Sequence, residues 1–181
     1  PRGLIPVNEY CQTEIPHIYA VGDVNGHAHL PHVAEHQARA VVKSLLFHPL
    51  PFSIDLKQAI PRAISSVLDM ASVGALEAEA IQAFGKSQIA TYHIPLSKIE
   101  RAAIIGEKEG FIKIVTRKRS SRILGATIIA PNASEMISAL SLAIYKRWPL
   151  RKWAKLIFPY PTLLEGVKEA AKESLIGLHF N

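Results

Sequence analysis

The stretch Phe111-Ile112-Lys113-Ile114-Val115-Thr116-Arg117-Lys118-Arg119-Ser120-Ser121-Arg122-Ile123-Leu124-Gly125-Ala126-Thr127-Ile128-Ile129-Ala130 decides the fold class. Residues 111–115 and 123–130 are β-branched and apolar, and the polar Arg117–Ser121 segment divides them, so they predict two strands of one hairpin. Downstream, Asn132 is placed to cap a helix running from about Ala133 to Arg147, with Glu135 as its capping-box partner, and Pro149 ends it. A short helix around Leu150–Lys155 and a last one from Leu163 to about Leu175 follow. Upstream, Pro61 to Leu68 predicts a strand, Gly74 leads into a helix at Ala75–Phe84 closed by Gly85, and Gln88 to Ile94 alternates as a strand does. Strands and helices mix without strict β-α-β alternation. The expectation is an α+β fold, an antiparallel sheet with helices packed on one side.

Before this block, His48-Pro49-Leu50-Pro51 stops any helix and marks a linker, so residues 1–50 and 52–181 predict two domains. In the first, His17-Ile18-Tyr19-Ala20-Val21 predicts a buried strand ending at Gly22-Asp23. Pro31 then opens a helix carrying Val33, Ala34, Gln37, Ala38, Val41, Val42 and Leu45 at helical spacing, to about Phe47. A lone strand of this kind would lack sheet neighbours, which predicts that the first block is loosely attached or paired with another copy.

The 181 residues are 49% hydrophobic and 20% charged, which suits a globular chain and excludes disorder. The net charge of +6 is scattered and reads as a solvated basic surface, so nucleic acid is not an expected partner. One cysteine, Cys11, excludes an internal disulfide and a four-cysteine zinc site, and makes a reducing, cytoplasmic location the default. No run approaches the ~20 apolar residues of a membrane span. The opening Pro1-Arg2-Gly3-Leu4-Ile5 reads like the middle of a longer protein. His27, His29, His32 and His36 crowd together, but the helix explains the last two, and no metal is expected.

The segment Thr13-Glu14-Ile15-Pro16-His17-Ile18-Tyr19-Ala20-Val21-Gly22-Asp23 resembles the second FAD fingerprint of the pyridine nucleotide–disulfide oxidoreductase family. The resemblance implies that Gly22 forms the turn and Asp23 hydrogen-bonds a ribityl hydroxyl of FAD. It also implies that Leu30-Pro31-His32-Val33-Ala34 begins the helix directed at the flavin ring, so that His32 and Ala34 lie at the cofactor. Further on, Ile60-Pro61-Arg62-Ala63-Ile64, Ala71 to Ala80, the hairpin, Asn132 to Ile137 and Pro161-Thr162-Leu163-Leu164-Glu165 are similar, in order, to the family's dimerisation domain. The chain then corresponds to the end of an FAD domain plus the dimerisation domain, with a homodimer formed through residues 52–181.

Family members that handle dithiols carry a His before the last of these prolines, oriented by a Glu, as acid–base partner of the redox thiols. Here Tyr160 precedes Pro161, Phe158 stands at the motif's other His, and Glu165 is present. Tyrosine, with a pKa of ~10, can donate a hydrogen bond to a thiolate but is a poor base at neutral pH. Tyr160 and Glu165 are therefore the candidate catalytic pair. The pattern resembles the mercuric reductase and dihydrolipoamide dehydrogenase-like branches. In mercuric reductase a Tyr here contacts the metal and a terminal cysteine pair delivers it, whereas this chain ends Gly177-Leu178-His179-Phe180-Asn181. Neither Gly-x-Gly-x-x-Gly nor a cysteine pair is present, so the chain alone is expected to bind no FAD in the family manner and to be inactive. As part of a longer enzyme it would act with FAD and with NAD(P)H as co-substrate. The alternative is a stand-alone dimerisation module with no chemistry.

Overall fold

The computed structural model describes residues 3–53 and 59–176. The chain divides into two compact units, Pro1–Gln58 and Ala59–Asn181.

The first unit is built on α1 (Pro31–Leu46), which starts with proline at its first turn, where a missing N–H costs nothing. The run His17–Val21 does not form a free-standing strand. It folds back on residues 11–13: Thr13 N–H donates to Ile18 O at 3.0 Å and Ala20 N–H to Cys11 O at 2.9 Å, with a bridge between Gln12 and Tyr19. The backbone groups are thus paired locally, the requirement that the sequence reading had no means to meet. Cys11 and Val41 form a small core with Tyr19 and Ala40 beside them. After α1 the chain is also held: Phe52 N–H donates to Ser44 Oγ at 2.8 Å, and the Phe47 and Phe52 rings lie 6.0 Å apart.

The second unit is a five-stranded sheet of β1 (Arg62–Ile64), β2 (Asp69–Gly74), β3 (Ile89–Pro95), β4 (Phe111–Arg117) and β5 (Ile123–Ala130), every pairing antiparallel, in the order β1-β2-β5-β4-β3. Between the strands lie α2 (Glu77–Phe84) and the short α3 (Glu100–Ile104), and α4 (Ala133–Tyr145) and α5 (Glu165–Ile176) follow them. Register explains the core. Ile94, Ile112, Ile128 and Ala71 stand side by side across four strands, and Tyr92, Ile114, Ala126 and Val73 form the next row on the same face. Ile137 and Leu140 of α4 and Val167, Ala170 and Ala171 of α5 join these rows in one buried cluster. Each buried Ile or Leu contributes about 2 kcal/mol, which outweighs any local propensity. On the opposite face Glu77 meets Lys113 at 2.5 Å and accepts from Thr91 Oγ1 at 3.0 Å, which seats the start of α2.

Three local expectations are corrected. Pro61–Leu68 is not one strand, because the chain turns after Ile64 and Val67, at 97% exposure, sits on that turn. Asn132 does precede α4, but in the left-handed region at φ 58° and without a side-chain cap, while its carbonyl accepts from Glu135 and Met136 N–H. Its conformation turns β5 into α4, a geometry asparagine tolerates. At the far end α4 stops at Tyr145, where left-handed Arg147 and the Trp148 N–H to Ala143 O bond of 2.8 Å close it. The short helix at Leu150–Lys155 is present in 3-10 form.

Candidate functional site

In the first unit the candidate residues gather at the tight 3-10 turn Gly22–Asn25. Gly22 has φ 78°, and a Cβ there would stand 3.2 Å from Ala34 Cβ. The positive φ disfavours a side chain and the space beside it is tight, so Gly22 and Ala34 serve first as a close packing pair. The turn is held from behind by Gln37, whose side chain is 0% exposed. Gln37 Oε1 accepts from Gly22 N–H at 2.6 Å and from Asn25 Nδ2 at 3.0 Å, and Asn25 also donates to Ala20 O. Gln37 Nε2 is buried without a partner among the described residues. Asp23 points the other way: it is exposed, and its carboxylate has no hydrogen-bond partner among the described residues. His32 is exposed on the first turn of α1. The sequence marks Gly22, Asp23, His32 and Ala34 as candidates and Gln37 only as a helical-face position, although a polar residue in an apolar stripe is itself a signal.

A cleft of about 310 Å³ is lined by Ile5, Pro6, Thr13, Glu14, Ile15 and Ile18. Burial holds the Cys11 thiol above its usual pKa, so it is a protonated, core side chain. Among the described residues no three His, Cys, Asp or Glu side chains come together as a metal site.

In the second unit Tyr160 lies on the loop before α5. Its ring is 65% exposed, and no hydrogen-bond partner exists for its hydroxyl among the described residues. The loop itself is fixed. Thr162 Oγ1 donates to Pro159 O at 3.1 Å, Thr162 N–H donates to Glu165 Oε2 at 3.3 Å, and the Tyr160–Pro161 bond is cis. Glu165 therefore caps the loop and does not touch Tyr160's hydroxyl. Phe158 packs on the core, 6.1 Å from Trp153, with Lys168 Nζ 5.7 Å above its ring. It is a packing residue. Beside the loop an open cleft of about 590 Å³ is lined by Pro161, Thr162, Leu163 and Leu164, by Arg101 and Ile105, and by Asn132 and Met136. Arg101 and Ile105 belong to α3 and the residue after it, a helix too short to read from periodicity. The terminal residues 177–181 lie outside the described residues.

The second unit is thus an antiparallel α+β domain, and in the sequence it follows a Gly-Asp turn and a helix. Residues 60–171 match the dimerisation domain of the pyridine nucleotide-disulphide oxidoreductases, and residues 1–38 match the model of the pyridine nucleotide-disulphide oxidoreductases themselves. The chain belongs to this family. It is 39% identical over 173 residues to a dihydrolipoyl dehydrogenase of Bacillus subtilis, covering 94% of this chain and 35% of that protein. A dihydrolipoyl dehydrogenase of Geobacillus stearothermophilus is 37% identical over 174 residues, 96% of this chain and 36% of that one. The chain thus spans about a third of the length of these relatives. Among solved structures, LpdA from Mycobacterium tuberculosis superposes with a TM-score of 0.81 at 27% identity, over 94% of this chain and 36% of that one. The HOCl-induced flavoprotein disulfide reductase RclA from Escherichia coli gives 0.85 at 23% identity over 93% and 38%, a likeness of fold alone. No helix among the described residues is long and apolar enough to cross a membrane.

Proposed function

We propose that the chain works as the carboxy-terminal part of an FAD-dependent pyridine nucleotide–disulfide oxidoreductase. In this reading residues 52–181 form the homodimer interface, Asp23 makes one contact with FAD, and the Tyr160 loop enters the acceptor site of the other subunit. When bound, FAD supplies the two-electron relay between NAD(P)H and a disulfide or thiol-bound acceptor. Asp23 is suited to its contact because its carboxylate is exposed and uncommitted while buried Gln37 fixes the turn behind it. An ionised carboxylate there accepts from a hydroxyl at no cost in refolding. His32 lies on the surface at the helix start, whose amide end favours negative charge, and Gly22 and Ala34 pack beneath the turn.

A tyrosine hydroxyl at position 160 can donate a hydrogen bond and is a poor general base at neutral pH. Glu165 serves as a positioning residue, holding the loop through Thr162. The observation that carries the reading is the order of the two matches, 1–38 and then 60–171, within one chain. A stand-alone dimerisation module has no use for the first of them.

Size-exclusion chromatography with light scattering and a visible absorption scan tests this. A colourless species of twice the chain mass is expected. A monomer at tens of micromolar would remove the interface role. A yellow species would show that flavin binds without the phosphate loops, against the account of what this chain lacks.

A further inference from the structure

Gln37 lies on the buried face of α1 with Val33 and Val41, where an apolar side chain would pack without burying a polar group. Its Nε2 is buried with no acceptor among the described residues, which is destabilising. The core therefore gives no reason for an amide at this position, and the turn Gly22–Asn25 does. Gln37 Oε1 takes two donors there, Gly22 N–H at 2.6 Å and Asn25 Nδ2 at 3.0 Å. The identity of both donors is fixed by backbone groups. Gly22 N–H is itself backbone, and Asn25 Nδ2 also donates to Ala20 O at 3.1 Å while Asn25 Oδ1 accepts from His27 N–H at 3.1 Å. Among the described residues Gln37 is thus used as an acceptor alone.

That acceptor fixes the backbone on which Asp23 stands. Gly22 N–H is held on one side by Gln37, and on the other Asp23 O accepts from Gly26 N–H at 3.0 Å, with Gly26 left-handed at φ 74°. Asp23 is pinned immediately before and after, so the direction of its side chain from the backbone is set and only its own torsions stay free. Gly22 is buried, so its N–H has no solvent to turn to when Gln37 Oε1 is removed. An exposed carboxylate on a braced turn is organised in advance for a hydroxyl donor, and the tight packing of Gly22 on Ala34 lets the turn lie close to the helix start. These residues fit a cofactor that offers a hydroxyl at this turn.

We propose that Gln37 is a positioning residue for FAD: its Oε1 holds the Gly22–Asn25 turn in the conformation that presents the Asp23 carboxylate to a cofactor hydroxyl. The inference rests on the reading of Asp23 given above. The test is titration of FAD into the apoprotein of the longer flavoenzyme that contains this chain, followed by quenching of flavin fluorescence. Asp23→Asn and Gln37→Met should each raise the Kd about tenfold, the second because the turn then occupies its binding conformation only part of the time. Gln37→Glu keeps an oxygen toward Gly22 N–H and should stay within about threefold of the wild type. Because Gln37 acts through Asp23, adding Gln37→Met to Asp23→Asn should cost less than about a further threefold. Circular dichroism of each variant checks the fold, and Gln37→Asn, shorter by a methylene, carries the same expectation as Gln37→Met should that variant unfold. An unchanged Kd in the Met and Asn variants, a Glu variant as weak as they are, or the full tenfold loss in the Asp23→Asn background would each overturn the inference and leave the Asp23 contact standing. Asp23→Asn without effect would overturn both.

Discussion

Gly125→Ala should be strongly destabilising through backbone contact alone. Gly125 stands opposite Gly74 where β2 leaves the sheet for α2. A Cβ at Gly125 would lie 2.0 Å from Ala75 O and 2.7 Å from Ala75 N. Ordinary contact needs about 3.4 Å, so the Ala75 backbone must retreat by more than an ångström. It is not free to do so, because Ala75 N–H donates to Leu124 O at 3.0 Å. Overpacking costs about 1–3 kcal/mol, and losing that hydrogen bond adds about 1 kcal/mol. The expected loss is about 2–4 kcal/mol, read from urea denaturation followed by circular dichroism. Gly106→Ala is the comparison without a clash: nothing lies within 4 Å of the added Cβ, and only its positive φ of 76°, which Gly125 does not share, opposes the side chain. Its cost should be about 1–2 kcal/mol from backbone alone. If Gly125→Ala proves no worse than Gly106→Ala, the steric reasoning fails.

Gln37→Met should strip the Gly22 amide of its acceptor and cost about 1–3 kcal/mol, seen as a loss of hydrogen-exchange protection at Gly22; unchanged protection would refute the clamp. Cys11 should react with thiol reagents no faster than the unit unfolds. Burial raises its folded pKa above the unfolded value of ~8.5, so its contribution is present below that pH and is lost as pH rises through the folded value. Glu77 titrates below the usual carboxylate range because of its hydrogen bonds to Lys113 and Thr91. Its contribution is present above ~4.3 and lost as pH falls through the lower folded value, and Glu77→Gln should flatten that acid limb by less than about 1 kcal/mol, given the pair's exposure. Glu165→Ala should loosen the Tyr160 loop by about 1 kcal/mol while Glu165→Gln, which keeps an acceptor for Thr162 N–H, should largely preserve it; equal effects in thermal melts would remove the capping role.

The hairpin was legible because both signals coincide in it: alternation along 111–117 and a turn too polar to bury. The same alternation places Ile112, Ile114 and Ile128 inside. What escaped has physical causes. Ser65 to Leu68 reads as strand because Val67 and Leu68 are apolar, yet a short hairpin turn can expose them. The five-residue α3 spans little more than one helical turn, too short for a periodic signal. The role of Ile18–Val21 depended on a partner strand that proved to be the preceding loop, a contact no local pattern encodes. At the candidate site, residue identities were readable but directions were not. Asp23 and Gly22 are neighbours in sequence, yet one faces solvent and the other is buried under Ala34.

Directions also decide what the Tyr160 loop can do. Glu165 Oε2 accepts from Thr162 N–H, and Phe158 packs its ring on Trp153 and the core. Neither contacts the Tyr160 hydroxyl. The tyrosine, exposed, is left to act by hydrogen bonding through its hydroxyl, including donation to an anionic acceptor. Glu165 therefore has a reason to persist beside a tyrosine that needs no orienting carboxylate, since the loop's shape depends on it. On the proposed reading this part of the enzyme positions and stabilises an anionic acceptor such as a thiolate. Proton transfer must then be carried by groups on the rest of the protein or by solvent, and a pH–rate profile without a His-like limb near neutrality is the signature that follows.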